Sequence, residues 1–265
     1  MHVRVNDLNL LVEERGAGLP LLFIHGYPLS SRIWLPQMDG LSEFARTIAP
    51  DLRGHGESDA ADGPYDMDLL AEDCRAMLDA LEITQPVVLC GLSMGGYVTF
   101  AFYRKYPERV AGLILAATRA GEDSTEAKSN REKAAETARK QGASAIAEAM
   151  LPKMLSPKTY NSNEQLVQQV WEIMQGTSVQ GIVGDLIGMK ARPNSTPTLA
   201  KINKPTLILH GSDDQLIPLS EAVAMRTAIP GAQLRVLPDA GHLLNMEQPV
   251  LFNQAVRAFL KEFGV

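Results

Sequence analysis

Continuous apolar runs punctuate this chain, and stretches with helical spacing lie between most of them. Pro20–Ile24, Val87–Cys90 and Val110–Ala116 are apolar without alternation, and Pro205–His210 reads the same way. Runs of that kind fit strands buried on both faces. Ala45–Ala49 and Gln233–Leu237 read as two more strands. His2–Val5 and Leu8–Glu14 read as an antiparallel hairpin turned by Asn6-Asp7. Helices are expected over Ile33–Phe44, interrupted at Pro36, and over Tyr65–Leu81, where Leu69, Leu70, Asp73, Met77, Leu78 and Leu81 recur near i, i+3, i+4 spacing. Gly95–Lys105 is a third, closed by Pro107. Ser220–Ala228, with Ser220 as N-cap, and Pro249–Phe263 complete the set. Alternating strands and helices predict an α/β fold: a mostly parallel twisted sheet with helices on both faces. Its chemistry belongs at the C-terminal ends of the strands.

The alternation stops between residues 119 and 200. This stretch is polar at first and then helical, with the charged helix-forming run Glu126–Lys140 and no clear buried strand. It reads as a helical cap inserted over the strand ends. The core is then residues 1–118 and 201–265. Trp34, Met150, Met154, Trp171, Leu216 and Leu243 are the apolar candidates for a pocket wall. Flexible methionines suit a wall that accepts varied apolar ligands.

The chemistry centres on Gly91-Leu92-Ser93-Met94-Gly95-Gly96, directly after the Val87–Cys90 run. Gly-x-Ser-x-Gly between a strand and a helix is a nucleophile elbow, a sharp turn that exposes the serine hydroxyl. The turn crowds its own backbone, so small residues are needed at Gly91 and Gly95. The Met94 N–H falls at a helix N-terminus, where partial positive charge can hold a developing oxyanion. Tyr27, after the bend at His25-Gly26, offers a second backbone N–H.

A serine hydroxyl needs a base within reach, and the base needs an orienting acid. Of the five histidines, His2 is terminal, and His25, His55 and His210 have structural explanations beside strand ends or loops. His55 in particular is expected to tie the Asp51–Ser58 loop together. His242 follows the last strand on an Ala-Gly turn read as flexible, and is the best base. Asp214 follows the preceding strand and suits the acid. The chain order Ser93, Asp214, His242 is the one this architecture requires.

With these pieces in place, the chain resembles an α/β-hydrolase over nearly its whole length. The matching motifs are His25-Gly26-Tyr27-Pro28, Asp51–Ser58, Gly91–Gly96, Gly211–Pro218 and Gly241-His242. The resemblance implies Asp214 rather than Asp213 as the acid, with Asp213 as fallback and Glu122 or Asp123 more remote. Relatives with Asp at the elbow are epoxide hydrolases and haloalkane dehalogenases, and Ser93 argues against both. Asp51–Ser58 and Leu92–Gly96 look similar to the enol-lactonase and small-esterase branch. A small carboxylic ester is therefore the expected substrate, cleaved without a cofactor. Enol-lactone opening and C–C cleavage are alternatives, and a non-catalytic receptor on the same scaffold is a third. Anionic substrates would need a basic residue in the pocket, for which Arg119, Lys153, Lys190 and Arg192 are candidates.

Composition narrows the partners. The chain has 265 residues, 45% hydrophobic and 21% charged, enough for one large domain with an insertion. A net charge of -6 argues against nucleic acid or an anionic membrane as partner. Cys74 and Cys90 are the two cysteines, both in segments that read as buried, so free thiols and a cytoplasmic setting are expected. The N-terminus lacks the apolar core of a signal peptide, and no apolar run approaches the roughly 18 residues of a membrane span. No His, Cys and carboxylate cluster stands at metal-ligand spacing. A monomer or homodimer is expected.

Overall fold

A computed structural model describes residues 1–264. Val265, the last residue of the core span read from the sequence, lies outside them. Eight strands form one sheet: β1 (His2–Val5), β2 (Leu8–Arg15), β3 (Pro20–Ile24), β4 (Arg46–Pro50), β5 (Val87–Leu92), β6 (Val110–Ala116), β7 (Thr206–Gly211) and β8 (Gln233–Leu237). Their order is β1-β2-β4-β3-β5-β6-β7-β8. β2 pairs antiparallel with β1 and β4, and every other pair is parallel. This is the mostly parallel sheet that the apolar runs predict. β5 sits near its middle, in register with β3 through Leu22↔Leu89 and with β6 through Leu89↔Leu113.

The helices are α1 (Leu35–Leu41), α2 (Met67–Ala80), α3 (Met94–Lys105), α4 (Thr125–Met154), α5 (Pro157–Ser162), α6 (Glu164–Gln175), α7 (Val179–Ala191), α8 (Thr196–Leu199), α9 (Leu219–Ala228), α10 (Leu244–Glu247) and α11 (Pro249–Leu260). Side chains on a strand alternate between faces, and β3 shows the consequence. Leu22 and Ile24 join a core with Leu70 and Met77 of α2 and Phe102 of α3. Leu21 and Phe23 join a second core with Met38 of α1 and Phe252 and Val256 of α11. Apolar surface is thus removed from water on both faces, the dominant favourable contribution to folding.

Several helix boundaries differ from the sequence reading. Pro36 does not interrupt a helix. A 3-10 turn over Ser31–Trp34 precedes it, and Pro36 lies in the first turn of α1, where an N–H would have no intrahelical partner. α2 starts after Asp66, whose carboxylate accepts the Leu69 N–H at 2.7 Å. Ser220 is not an N-cap: α9 begins at Leu219 behind Pro218, whose fixed φ suits a helix start.

α4–α8 lie between β6 and β7, in the stretch where the alternation stops. Ser124, Ser156, Asn163 and Ser178 each accept an N–H from the first turn of the following helix, the preferred chemistry for starting one. α4 is broken at Gly142. α6 buries Leu166, Val170, Ile173 and Met174, a stripe at i, i+4, i+7, i+8. The insertion is tied to the Asp51–Ser58 loop and its neighbours. Ser178 Oγ donates to the Gly54 carbonyl at 2.8 Å, the Tyr65 N–H to the Gly184 carbonyl at 3.0 Å, and Thr177 Oγ1 to the Pro28 carbonyl at 3.0 Å.

Candidate active site

Ser93 joins β5 to α3 with φ 55° and ψ −113°, a backbone conformation a residue with a Cβ rarely adopts. The surroundings hold it there. The Ser93 N–H donates to the Ala116 carbonyl at 2.9 Å, and its own carbonyl accepts from Gly96 N–H at 2.9 Å and from Thr118 Oγ1 at 2.7 Å. Neither flanking glycine tolerates a side chain. A Cβ at Gly91 would meet the Gly95 carbonyl oxygen at 2.3 Å, and one at Gly95 the Ile24 carbonyl oxygen at 2.1 Å. Met94 opens α3, so its N–H has no intrahelical acceptor.

His242 Nδ1 lies 2.9 Å from Asp214 Oδ2, and both side chains are buried. Asp214 Oδ1 accepts two backbone N–H groups, from Leu216 at 2.8 Å and Ile217 at 3.0 Å. Burial works to raise the Asp214 pKa. The imidazole and the two amides outweigh it and hold the carboxyl below its usual range. An ionised carboxylate only accepts, so in the neutral tautomer of the ring Nδ1 carries the hydrogen and Nε2 keeps its lone pair.

The His242 turn is clamped rather than flexible. Glu247 accepts the Gly241 N–H at 2.7 Å through Oε1 and the Ser156 N–H at 2.9 Å through Oε2. The Leu243 N–H donates to the Met154 carbonyl at 3.0 Å. These bonds tie the turn to the end of the insertion.

The other histidines and acids are engaged elsewhere. His25 Nε2 accepts the Leu52 N–H at 3.0 Å, and His210 Nε2 is 3.1 Å from the Ile217 carbonyl. His55 Nδ1 meets the Arg53 carbonyl at 2.9 Å, so it does tie its loop, and its Nε2 reaches Asp185 in α7. Asp213 is exposed and accepts from Ser212 Oγ. Glu122 pairs with Lys128, and Asp123 is the shared partner of Arg119, Arg131 and Arg192.

Ser93 and His242 open on one cavity of about 170 Å³. Tyr27, Leu216 and Ile217 line it from the core, and Met150 and Met189 from the insertion. Two of the six apolar pocket candidates, Met150 and Leu216, are therefore there. The other four are not. Trp34 stacks on Phe23 at 4.8 Å and tilts against Phe252, which places it in the core beneath the sheet. Met154 and Leu243 are fully buried in that same core, and Trp171 packs against it from α6. Bulk and position near a motif do not reveal which face a side chain takes.

The polar part of the wall was harder to foresee. Tyr97, Arg119 and Arg131 complete the cavity. Arg119 was a candidate for a basic pocket residue, but Arg131 sits in the charged run of α4, which carries no signal that one arginine turns inward. Of the remaining candidates, Lys153 is exposed, Lys190 pairs with Glu132, and Arg192 is buried on Asp123 with its guanidinium 4.1 Å from the Tyr97 ring centre. A larger depression of about 450 Å³ between Pro64 and α7 contains no serine, cysteine or histidine. No group of three or more His, Cys, Asp or Glu among the described residues is arranged to hold a metal ion, and no helix among them is long and apolar enough to cross a membrane.

Comparison with known proteins agrees with this layout. An esterase from Thermogutta terrifontis, solved with malate bound, has a TM-score of 0.96 and 41% identity, over 99% of this chain and 98% of its own. The enol-lactonase from Burkholderia xenovorans LB400 has a TM-score of 0.92 at 27% identity, over 98% of this chain and all 100% of its own. In sequence, 3-oxoadipate enol-lactonase 2 of Acinetobacter baylyi is 30% identical over 244 residues, 92% of this chain and 89% of the relative. The family model described as alpha/beta hydrolase fold matches residues 20–249. A mostly parallel eight-stranded sheet with a serine elbow after β5, and a family match over that span, make this chain a member of the α/β-hydrolase family.

Proposed function

We propose that this protein is a serine hydrolase that cleaves small carboxylic esters through an acyl-enzyme. The observation that carries the reading is that Ser93, in its strained turn, shares a small cavity with a histidine whose far nitrogen is held by a buried carboxylate. Ser93 Oγ attacks the ester carbonyl carbon and His242 Nε2 takes the hydroxyl proton. Asp214 keeps the ring in the required tautomer and stabilises the imidazolium. The Met94 and Tyr27 N–H groups stabilise the tetrahedral oxyanion. The C–O bond to the alcohol then breaks, and His242 returns the proton to the leaving oxygen. Water, deprotonated by the same nitrogen, adds to the acyl-enzyme, and the carboxylic acid leaves as Ser93 regains its proton. Every step uses this chain's own residues and water.

The insertion acts as a cap in this reading, since Met150 and Met189 close the cavity over Ser93. At about 170 Å³ the cavity is well below the roughly 300–1,000 Å³ of drug-sized pockets. Short acyl or alcohol groups fit this better than long ones. Ring opening of a lactone is the second reading. It uses the same residues, and the enol-lactonase relatives together with two arginines in the cavity wall favour it.

The test is hydrolysis of p-nitrophenyl acetate, butyrate and octanoate by wild type and Ser93→Ala. Wild type is expected to prefer the two short esters, and Ser93→Ala to lose several orders of magnitude in kcat. No turnover of any of the three by wild type sinks the esterase reading, and a lactone panel then decides the second.

A further inference from the structure

The cavity holds more polar capacity than ester cleavage requires. Tyr27 is nine-tenths buried, lines the cavity, and its hydroxyl has no hydrogen-bond partner among the described residues. Arg119 lines the same cavity, and its buried Nε–H is also without a partner among them. Leaving a buried donor unpaired costs about 1–3 kcal/mol, more when it is charged. Both residues line the same small cavity, and an acceptor bound there would complete these donors.

Charge points the same way. Asp123 is the carboxylate that faces the arginines here, and it receives three of them: Arg119 Nη2 at 2.6 Å, Arg192 Nη1 at 2.9 Å, and Arg131 through Nε. One negative charge against three positive ones leaves the wall cationic. Arg119 and Arg131 reach the cavity, while Arg192 is held back against Tyr97. The other nearby acid, Asp185, is buried against His55, with Oδ2 3.0 Å from the ring Nε2. None of this helps a reaction at Ser93 on a neutral ester, and an uncompensated cationic wall lowers its affinity for apolar groups.

We propose that Tyr27, Arg119 and Arg131 form a carboxylate subsite, so that the substrate is an ester or lactone bearing a second, free carboxylate away from the scissile carbonyl. The inference rests on the hydrolase reading for its chemistry but makes a separate claim about recognition. Guanidinium groups pair with carboxylate oxygens in a planar, often bidentate geometry, and a phenol hydroxyl adds a third donor. The Tyr27 side chain would then read the substrate's charge while its backbone N–H serves the oxyanion. Half-esters of short dicarboxylic acids and carboxylated lactones are the compounds that satisfy both.

The experiment compares the monomethyl esters of succinic, glutaric and adipic acid with the uncharged amides in which the free carboxylate is replaced. Hydrolysis is followed by pH-stat with wild type, Tyr27→Phe and Arg131→Gln. Binding of the same pairs to Ser93→Ala is measured by calorimetry. At least one anionic ester is expected to exceed its amide tenfold or more in kcat/KM, with the ratio falling as salt is raised and falling severalfold in Tyr27→Phe and Arg131→Gln. Arg131→Gln removes one partner of buried Asp123, so wild type and Tyr27→Phe decide the matter if that variant does not fold. Ratios within twofold for every chain length, insensitive to salt and to Tyr27→Phe, overturn the subsite and leave the hydrolase reading intact. Selective binding of the anionic esters to Ser93→Ala without turnover by wild type does the reverse. Binding of inorganic phosphate as tight as that of the half-esters would mean a general anion hole and would overturn the carboxylate assignment.

Discussion

His55 Nε2 and Asp185 Oδ2 lie 3.0 Å apart, and neither side chain has exposed surface. One belongs to the loop after β4 and the other to α7, so this buried pair joins that loop to α7. Burial works against a charged His55, but Asp185 outweighs it and the ring holds its proton more tightly than a free histidine. Removing one partner of a buried pair leaves the other uncompensated, at a cost of about 3–5 kcal/mol. Asp185→Leu is therefore expected to lower stability by about that amount in urea unfolding. The double variant His55→Leu/Asp185→Leu is expected to recover part of it. A double-variant loss equal to the sum of the losses in His55→Leu and Asp185→Leu would mean that the two residues do not act as a pair.

Asp123 governs the behaviour in acid. Burial works to raise its pKa, but hydrogen bonds and charge from Arg131 and Arg192 outweigh it, so the carboxyl is held below its usual range. A carboxyl with a depressed folded pKa contributes stability that is fully present above its unfolded pKa, about 3.9, and is lost as pH falls through the folded value. Asp214 has the same sign. The melting temperature of wild type is expected to fall steeply below about pH 4. Asp123→Asn is expected to be less stable at neutral pH and to show a shallower acid limb. Parallel curves for the two proteins would show that another carboxyl is responsible.

Much of this was legible in the residues, for reasons that can be named. Buried parallel strands are apolar on both faces, so β3, β5, β6 and β7 stood out without alternation to read. The elbow was legible because crowding permits only glycine at Gly91 and Gly95. Ser93, Asp214 and His242 each follow a strand, and a parallel sheet brings strand ends together. The pocket wall was much less legible. Trp34 and Met154 face the core while Met189 and Arg131 face the cavity, and each choice depends on how a helix rolls against its neighbours. Glu247 was invisible for a different reason: it acts on two backbone N–H groups, which have no residue type.

Asp214→Asn separates orientation from packing. The asparagine has the same shape and keeps an oxygen to accept from Leu216 and Ile217, but its NH2 then faces His242 Nδ1. The ring would turn its lone pair toward position 214 and present N–H to Ser93, the wrong tautomer for a base. kcat on p-nitrophenyl butyrate is expected to fall by about 10³–10⁴ with KM little changed. A loss below tenfold would mean that another group orients the histidine.

Glu247 is expected to act on catalysis without touching substrate. It holds Gly241, the residue before His242, and Ser156, the cap of α5, with one oxygen each. Glu247→Gln replaces one acceptor by an NH2 group that faces a donor, so one clamp bond is lost and one buried N–H is left unpaired, at about 1–3 kcal/mol. The His242 turn then gains freedom relative to Ser93. Attack requires close alignment, and small misplacements of a catalytic group are costly in rate. kcat on p-nitrophenyl butyrate is expected to drop about tenfold or more, with KM and the pH profile little changed, alongside a lower urea midpoint. Glu247→Ala is expected to lose more of both, because it frees both N–H groups. If stability falls in the two variants while kcat is retained, the clamp serves the fold alone and the histidine turn is held by the Leu243 N–H to Met154 bond and its buried side chains.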